Sequence, residues 1–238
     1  MKETVAGLLI VLAACGAAFA QAFTVKLGDK SYRCEEVFFD SFDQGPGHWL
    51  AEGDATIGVN QGWLDVDATS GKVGAVTIWC KSEFSGPQLV EYDVRLMANT
   101  IQSNVNMFLL ASMPQGPGLL QTSDTRNGGY SQYHVFPNYL ITVLNNTHPD
   151  KKRWMLRLRM RLDPGFRLVE ERWFEPLVFG RVYHISYLIR PPEVAVYLDG
   201  RKLGEAAYEE TLTRGYHGLR IWHTHSIYDN FRVSRLVE

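Results

Sequence analysis

The stretch Gly218–Glu238, GLRIWHTHSIYDNFRVSRLVE, decides how the chain folds. Leu219 and Ile221 alternate with Arg220 and Trp222. Past a bend, Phe231 and Val233 alternate with Asn230, Arg232 and Ser234. An apolar residue at every second place marks a strand with one buried and one wet face. The sequence therefore closes on two short strands with a tight bend between them. A half-buried strand at the end of a chain needs a neighbour for its backbone groups. The stretch Glu36–Phe42, EVFFDSF, near the other end is the expected one. That pairing ties both ends of one domain together, so the segments between are expected to form a sandwich and not a string of modules.

Working inward from that closure, short alternating runs recur between Gly, Pro, Asn and Asp. Strands are predicted near Gly62–Asp67, Gly74–Lys81, Gln88–Met97, Asn104–Ala111, Asn138–Leu144, Arg153–Leu162, Arg167–Trp173, Val182–Arg190, Val194–Leu198 and Arg201–Tyr208. Asp199-Gly200 is a hairpin turn signal. No segment keeps a helical period with caps. Many short strands at this spacing predict an all-β fold, a two-sheet antiparallel jelly-roll β-sandwich. The longest connection, Met113–Ser131, is rich in Gly, Pro, Ser and Asn, and a loop of that length often lines or lids a site.

With 238 residues, 45% hydrophobic and 21% charged, the composition is that of a globular protein. No repeat or linker appears, so residues 21–238 are expected to be one domain. The net charge of −2 supplies no basic field, and no nucleic acid partner is expected. Lys2 precedes the apolar run Val5–Ala20, which ends Ala18-Phe19-Ala20 before Gln21, the pattern of a cleaved export leader. The run is short for a membrane span, so a secreted or periplasmic protein is expected. The alternative is Leu12-Ala13-Ala14-Cys15, a lipobox-like sequence that would anchor the protein to a membrane through a lipidated Cys15. Either route puts Cys34 and Cys80 where a disulfide is allowed, although both also suit buried hydrophobic positions.

Phe39-Asp40-Ser41-Phe42, Trp79–Pro87 (WCKSEFSGP) with Glu91-Tyr92-Asp93, Asn106-Met107-Phe108, Asp163–Phe166 (DPGF) and Tyr228–Val233 (YDNFRV) together resemble the YesU-like family of the concanavalin A-like lectin/glucanase superfamily. The resemblance is scattered over most of the chain. It implies a concanavalin A-like jelly roll of two curved antiparallel sheets. It also implies an association with bacterial breakdown of plant cell-wall polysaccharide, rhamnogalacturonan in particular.

The sharpest chemical pattern is Trp154–Leu162, WMLRLRMRL. Trp154, Leu156, Leu158, Met160 and Leu162 share one face of a strand, and Arg157, Arg159 and Arg161 share the other. Guanidinium groups fork onto carboxylates, so Arg157 and Arg159 are candidates to hold an acidic glycan. The same ladder is also what a wet face paired with neighbouring acids looks like. Tyr130, Tyr139, Asn106 and Asn146 complete the candidate sugar-binding set.

Tyr133 and His134, beside the long loop, and His223 are the candidate proton-transfer groups for β-elimination of a uronate. His223 and His225 are two apart, but no third metal ligand has matching spacing. Hydrolysis by two carboxylates is the rival chemistry. Glu91-Tyr92-Asp93 begins the E-x-D-x-x-E pattern of laminarinase-type glucanases, yet no acid follows where one is needed. Adjacent Glu170 and Glu171 point to opposite faces of a strand. Asp229, with Asp40, resembles the aspartate pattern that holds a structural Ca²⁺ in related jelly rolls; no other cofactor is expected. Sequence alone leaves a polysaccharide lyase or hydrolase and a non-catalytic lectin both open, with a poly- or oligosaccharide as the partner in each.

Overall fold

The computed structural model describes residues 21–97 and 103–237. The expected leader, Cys15 included, lies outside the described residues. Sixteen strands are formed: β1 (Phe23–Leu27), β2 (Lys30–Asp40), β3 (Trp49–Gly53), β4 (Thr56–Asn60), β5 (Trp63–Asp67), β6 (Ala75–Ser85), β7 (Gln88–Leu96) and β8 (Ser103–Ala111), followed by β9 (Asn138–Thr147), β10 (Trp154–Asp163), β11 (Arg167–Phe174), β12 (Val182–Arg190), β13 (Glu193–Leu198), β14 (Arg201–Ala207), β15 (Arg214–Trp222) and β16 (His225–Leu236). The predicted runs are all present, and β1, β3 and β4 are additional.

Nine strands make one antiparallel sheet in the order β1-β2-β16-β7-β12-β13-β14, with β5 joined to β16 and β4 to β5. The other seven make the second, β11-β10-β9-β8-β15-β6-β3. The expected closure is present: β16 pairs with β2, with Phe231 opposite Asp40 and Leu236 opposite Cys34. The two closing strands do not pair with each other, because the bend at His223 carries the chain from one sheet to the other. Its backbone is left-handed there (φ 43°). At Asp199-Gly200 both residues have positive φ, 49° and 74°, as a tight hairpin between twisted strands requires.

The inward faces meet in one apolar core. Leu156, Leu158, Met160 and Leu162 of β10 lie in it with Ile141 and Val143 of β9, Leu219 and Ile221 of β15, and Tyr92, Tyr187 and Phe231 of the nine-stranded sheet. The alternation that fills this core sends the residues between outward. Cys34 and Cys80 are both buried free thiols on strands of different sheets, so no disulfide joins them. Burial pushes both thiols up to about 11.

Candidate functional site

Register places one continuous polar row across the outer face of the seven-stranded sheet. Arg159 lies opposite Thr142, Thr142 opposite Asn106, Asn106 opposite Arg220, and Arg220 opposite Thr77. Glu171 of β11 and Glu52 of β3 sit at its two ends. Directly opposite residues share a face, and neighbouring strands are about 4.8 Å apart. Arg159 and Arg220 therefore start about 14 Å apart and reach toward each other over Thr142 and Asn106.

The next row toward the loop is apolar: Leu140, Phe108, Gly218 and Trp79. The 112–137 connection packs on it, burying Leu119, Tyr133 and Phe136 against Trp79, Phe108 and Leu140. Two 3-10 turns, Leu120–Thr125 and Tyr130–Tyr133, give the connection its shape. Arg126 latches it to the sheet with hydrogen bonds of 2.9 and 2.5 Å to the Glu52 carboxylate, a further bond to Thr122, and one to the Leu119 carbonyl. Gly128 lies so near β3 and β6 that a Cβ there would be 2.5 Å from the Ala75 carbonyl oxygen. The loop is thus a fixed wall.

Between wall and sheet lies a cleft of about 370 Å³ lined by Asn104, Asn106, Asn146, Tyr130, Arg159 and Arg220, with Trp222, Leu144, Val73 and Ala75 as its apolar sides. Three atoms on this lining are buried with no hydrogen-bond partner in the protein: Asn104 Oδ1, Asn106 Oδ1 and Arg159 Nε. Arg161 Nε and Nη1, beside the lining, are buried and unpartnered too, while the buried Tyr130 and Thr142 hydroxyls face each other. Buried polar atoms are normally satisfied, at a cost of about 1–3 kcal/mol when they are not. Five together on one face describe a surface built to receive polar groups from outside.

The charges are equally unbalanced. Among the described residues, no carboxylate lies within ion-pair distance of Arg159, Arg161 or Arg220. Arg220 is 2% exposed and, among the described residues, donates to Thr77 and the Gly128 carbonyl. Its guanidinium carbon sits 4.5 Å from the Tyr130 ring centre and 5.3 Å from that of Tyr133. Burial, reinforced by Arg161 and Arg157 beside it, lowers Arg159 to about 10; burial lowers Arg161 and Arg220 as well. Burial raises Tyr130, while Thr142 and all three guanidiniums pull it back.

Of the sequence-predicted residues, Arg159, Tyr130, Asn106 and Asn146 come together at this cleft. Arg157 does not line it: its guanidinium forks onto Glu171 at 3.0 and 2.6 Å and lies over Trp173. Tyr139 is corrected outright, because the parity of β9 turns it into the core, where its hydroxyl donates to the Glu210 carbonyl. Tyr133 is fully buried under the wall, stacked among Trp79 and Phe108, with its phenol raised far above the usual range by burial.

His134 is sandwiched between Phe166 (3.9 Å between ring centres) and Tyr130 (4.5 Å), behind the lining. Burial, then Arg220 and Arg161, lower it to about 4, so it is neutral at neutral pH. His223 is exposed at the bend against Trp222, and His225 is bound to Asp65 at 2.7 Å on the other sheet. Sequence reasoning missed Arg220, whose only signal was an outward place in the alternation; Arg161, third in the ladder read from the sequence, stands behind the lining over Phe166.

At the expected calcium corner Asp229 lies near Asp93, Asp43 and Asp40, and burial followed by their charges raises its carboxyl. The Asp40 carboxylate accepts from the Phe42 amide and the Trp49 indole, Asp43 accepts from Ser41, and Asp229 from Asn230. Among the described residues no group of three or more His, Cys, Asp or Glu is placed to hold a metal. Glu91 and Asp93 lie on the outer face of the opposite sheet, both bound to His184.

Residues 71–231 match the model of DUF6250, a domain of unknown function, and the chain belongs to that family. No curated protein matches the sequence. Among solved structures, a Bacillus subtilis protein of unknown function with a galectin-like fold superposes with TM-score 0.73 at 17% identity, over 92% of this chain and 100% of that one. An endo-β-1,3-glucanase from Pyrococcus furiosus gives TM-score 0.58 at 13% identity, over 90% and 98%. The CBM66 carbohydrate-binding module of Bacillus subtilis gives 0.53 at 13%, over 78% and 94%. At these identities the likeness establishes the jelly-roll fold of glucanases and lectins.

Proposed function

We propose that this DUF6250 protein binds a saccharide in the cleft on the outer face of its seven-stranded sheet. The carrying observation is the set of buried, unpartnered oxygen and nitrogen atoms on or beside the lining, from Asn104, Asn106, Arg159 and Arg161. Hydroxyl-rich ligands pair with such groups, and the Trp222 side offers an apolar surface to a sugar ring. The shared fold of a carbohydrate-binding module and a glucanase supports this as analogy. The YesU-like resemblance narrows it to acidic plant or algal glycans of the rhamnogalacturonan or pectin type, met by an exported protein of a glycan-degradation system.

Binding without catalysis fits the lining best. No Asp or Glu lines the cleft, so a carboxylate-pair hydrolase has no acid or base there. The lyase alternative rests on Tyr130 alone, the one phenol on the lining, with three guanidiniums near it to neutralise an enolate-like intermediate. Affinity electrophoresis against a panel of pectic and algal glycans tests binding, with reducing ends and the ultraviolet absorbance of unsaturated uronates followed in parallel. Retention with neither product is the expected result. Unsaturated product that is lost in Tyr130→Phe supports the lyase, and absence of retention by every glycan contradicts the proposal.

A further inference from the structure

Resting on that saccharide-binding role, we infer that the cleft takes the terminal acidic residue of a glycan chain, its carboxylate held between Arg159 and Arg220 beside Tyr130. These two cations line the cleft and a third, Arg161, stands behind it over the Phe166 ring, and no carboxylate pairs with any of them among the described residues. Keeping charges out of water without partners is costly, and on this same sheet Arg157 and Arg126 each have a carboxylate within 2.6 Å. The fold thus supplies counter-ions where an arginine is structural and withholds them at the cleft. An acidic ligand group supplies the missing charge and accepts from the unpartnered Arg159 Nε.

A bare anion does not account for the rest. Asn104 Oδ1 and Asn106 Oδ1 are acceptors and need donors from the ligand, as the hydroxyls of a sugar acid provide. Neutral sugars satisfy the amides and leave the cations unmatched.

The walls set which residue of a chain can sit there. Toward β3 the polar row runs beneath Gly128 to Glu52, which is 2% exposed under Arg126. Toward the apolar row the 112–137 connection lies directly on the sheet. At the β11 end the side chains of Arg157 and Glu171 remain about one quarter exposed, 25% and 26%. A chain crossing the strands can enter past β10 and has no exit over β6, so the acid in this corner is an end unit.

Isothermal titration with oligomers of galacturonate, glucuronate and mannuronate or guluronate, each alongside its carboxyl-reduced counterpart, tests this. At least one acidic series is expected to bind, with carboxyl reduction weakening it about tenfold to a hundredfold, the loss of one or two charge-assisted hydrogen bonds. Stoichiometry is expected to stay near one protein per chain as the oligomer lengthens. Arg159→Met is expected to mimic carboxyl reduction, and Arg190→Met, whose guanidinium pairs with Glu193 on the other sheet, to leave affinity unchanged, each with its fold checked by near-ultraviolet circular dichroism. Equal binding of reduced oligomers overturns the acidic subsite and leaves the saccharide role standing. Several proteins loading along one long chain overturns the terminal placement, competition by sodium acetate or sulfate at oligomer concentrations overturns the need for a sugar, and no binding by any oligomer overturns both inferences.

Discussion

The outer faces of the two sheets use their charges in different ways. On the nine-stranded sheet most ionic groups have found a partner: His184 sits between Asp93 and Glu91, Arg232 meets Glu36, and His225 meets Asp65, while Arg95 lies over the Trp63 ring with its Nε unpartnered. On the seven-stranded sheet Arg159, Arg161 and Arg220 have no carboxylate within ion-pair distance among the described residues, and Asn104 Oδ1 and Asn106 Oδ1 have no hydrogen-bond partner in the protein. Paired charges at a surface are close to neutral for stability, and unpaired buried ones are a cost. A face that carries such a cost beside a cleft is the one to associate with a ligand.

Several measurements can break or sharpen that contrast. The largest effect is expected at the latch. Glu52→Gln strips the buried Arg126 of its only carboxylate and should cost about 3–5 kcal/mol in urea unfolding, the usual penalty for breaking a buried pair. An unchanged midpoint would mean the loop is not held there. Next, Arg159→Met should leave stability unchanged or raise it by on the order of 1 kcal/mol, since an unmatched cation is exchanged for an apolar side chain of similar length. A loss comparable to that of Glu52→Gln would mark Arg159 as structural and dissolve the contrast.

The smallest effects come from two histidines of opposite sign. His134, on the cleft side, is lowered to about 4, so the unfolded chain takes up a proton first and stability falls as pH drops from about 6.5 toward 4. His184, raised to about 9 chiefly by its hydrogen bonds to Asp93 and Glu91, is protonated in the fold at neutral pH. Its contribution is complete below about 6.5 and fades as pH rises through 9. His184 is 44% exposed, so solvent screening keeps the alkaline limb shallow. Unfolding midpoints across pH should lose only the acid limb in His134→Gln and only the alkaline limb in His184→Gln. Any other assignment reverses the electrostatic character given to one of the faces.

Much of the architecture was legible because strand alternation is a local signal. The runs around Leu156–Leu162 and Leu219–Ile221 fix which residues turn inward, and with them the outward place of Arg159, Arg161 and Arg220. What alternation cannot give is which strands become neighbours. Arg220 joins Arg159 only through the order β10-β9-β8-β15, a set of pairings far apart in sequence. Tyr139 was misplaced for a related reason: at the start of β9, Tyr139 and Leu140 are both apolar enough to face either way, and the fold chose the tyrosine for the core. Tyr133 and His134 belong to a 3-10 turn and its exit, where neither period applies, and packing on Trp79 and Phe166 turned them from the cleft. The five-residue strands β1, β3 and β4 went unread, although β1 and β4 alternate as regularly as the equally short β5 that was read.

Hydrogen exchange read by mass spectrometry, with and without the tightest-binding uronate oligomer, compares the two faces in one experiment. Ligand-induced protection is expected in β8, β9, β10 and β15 and in the 112–137 connection, with β7, β12 and β16 unchanged. Protection centred on His184 and its strands, with the cleft strands unaffected, would contradict the account.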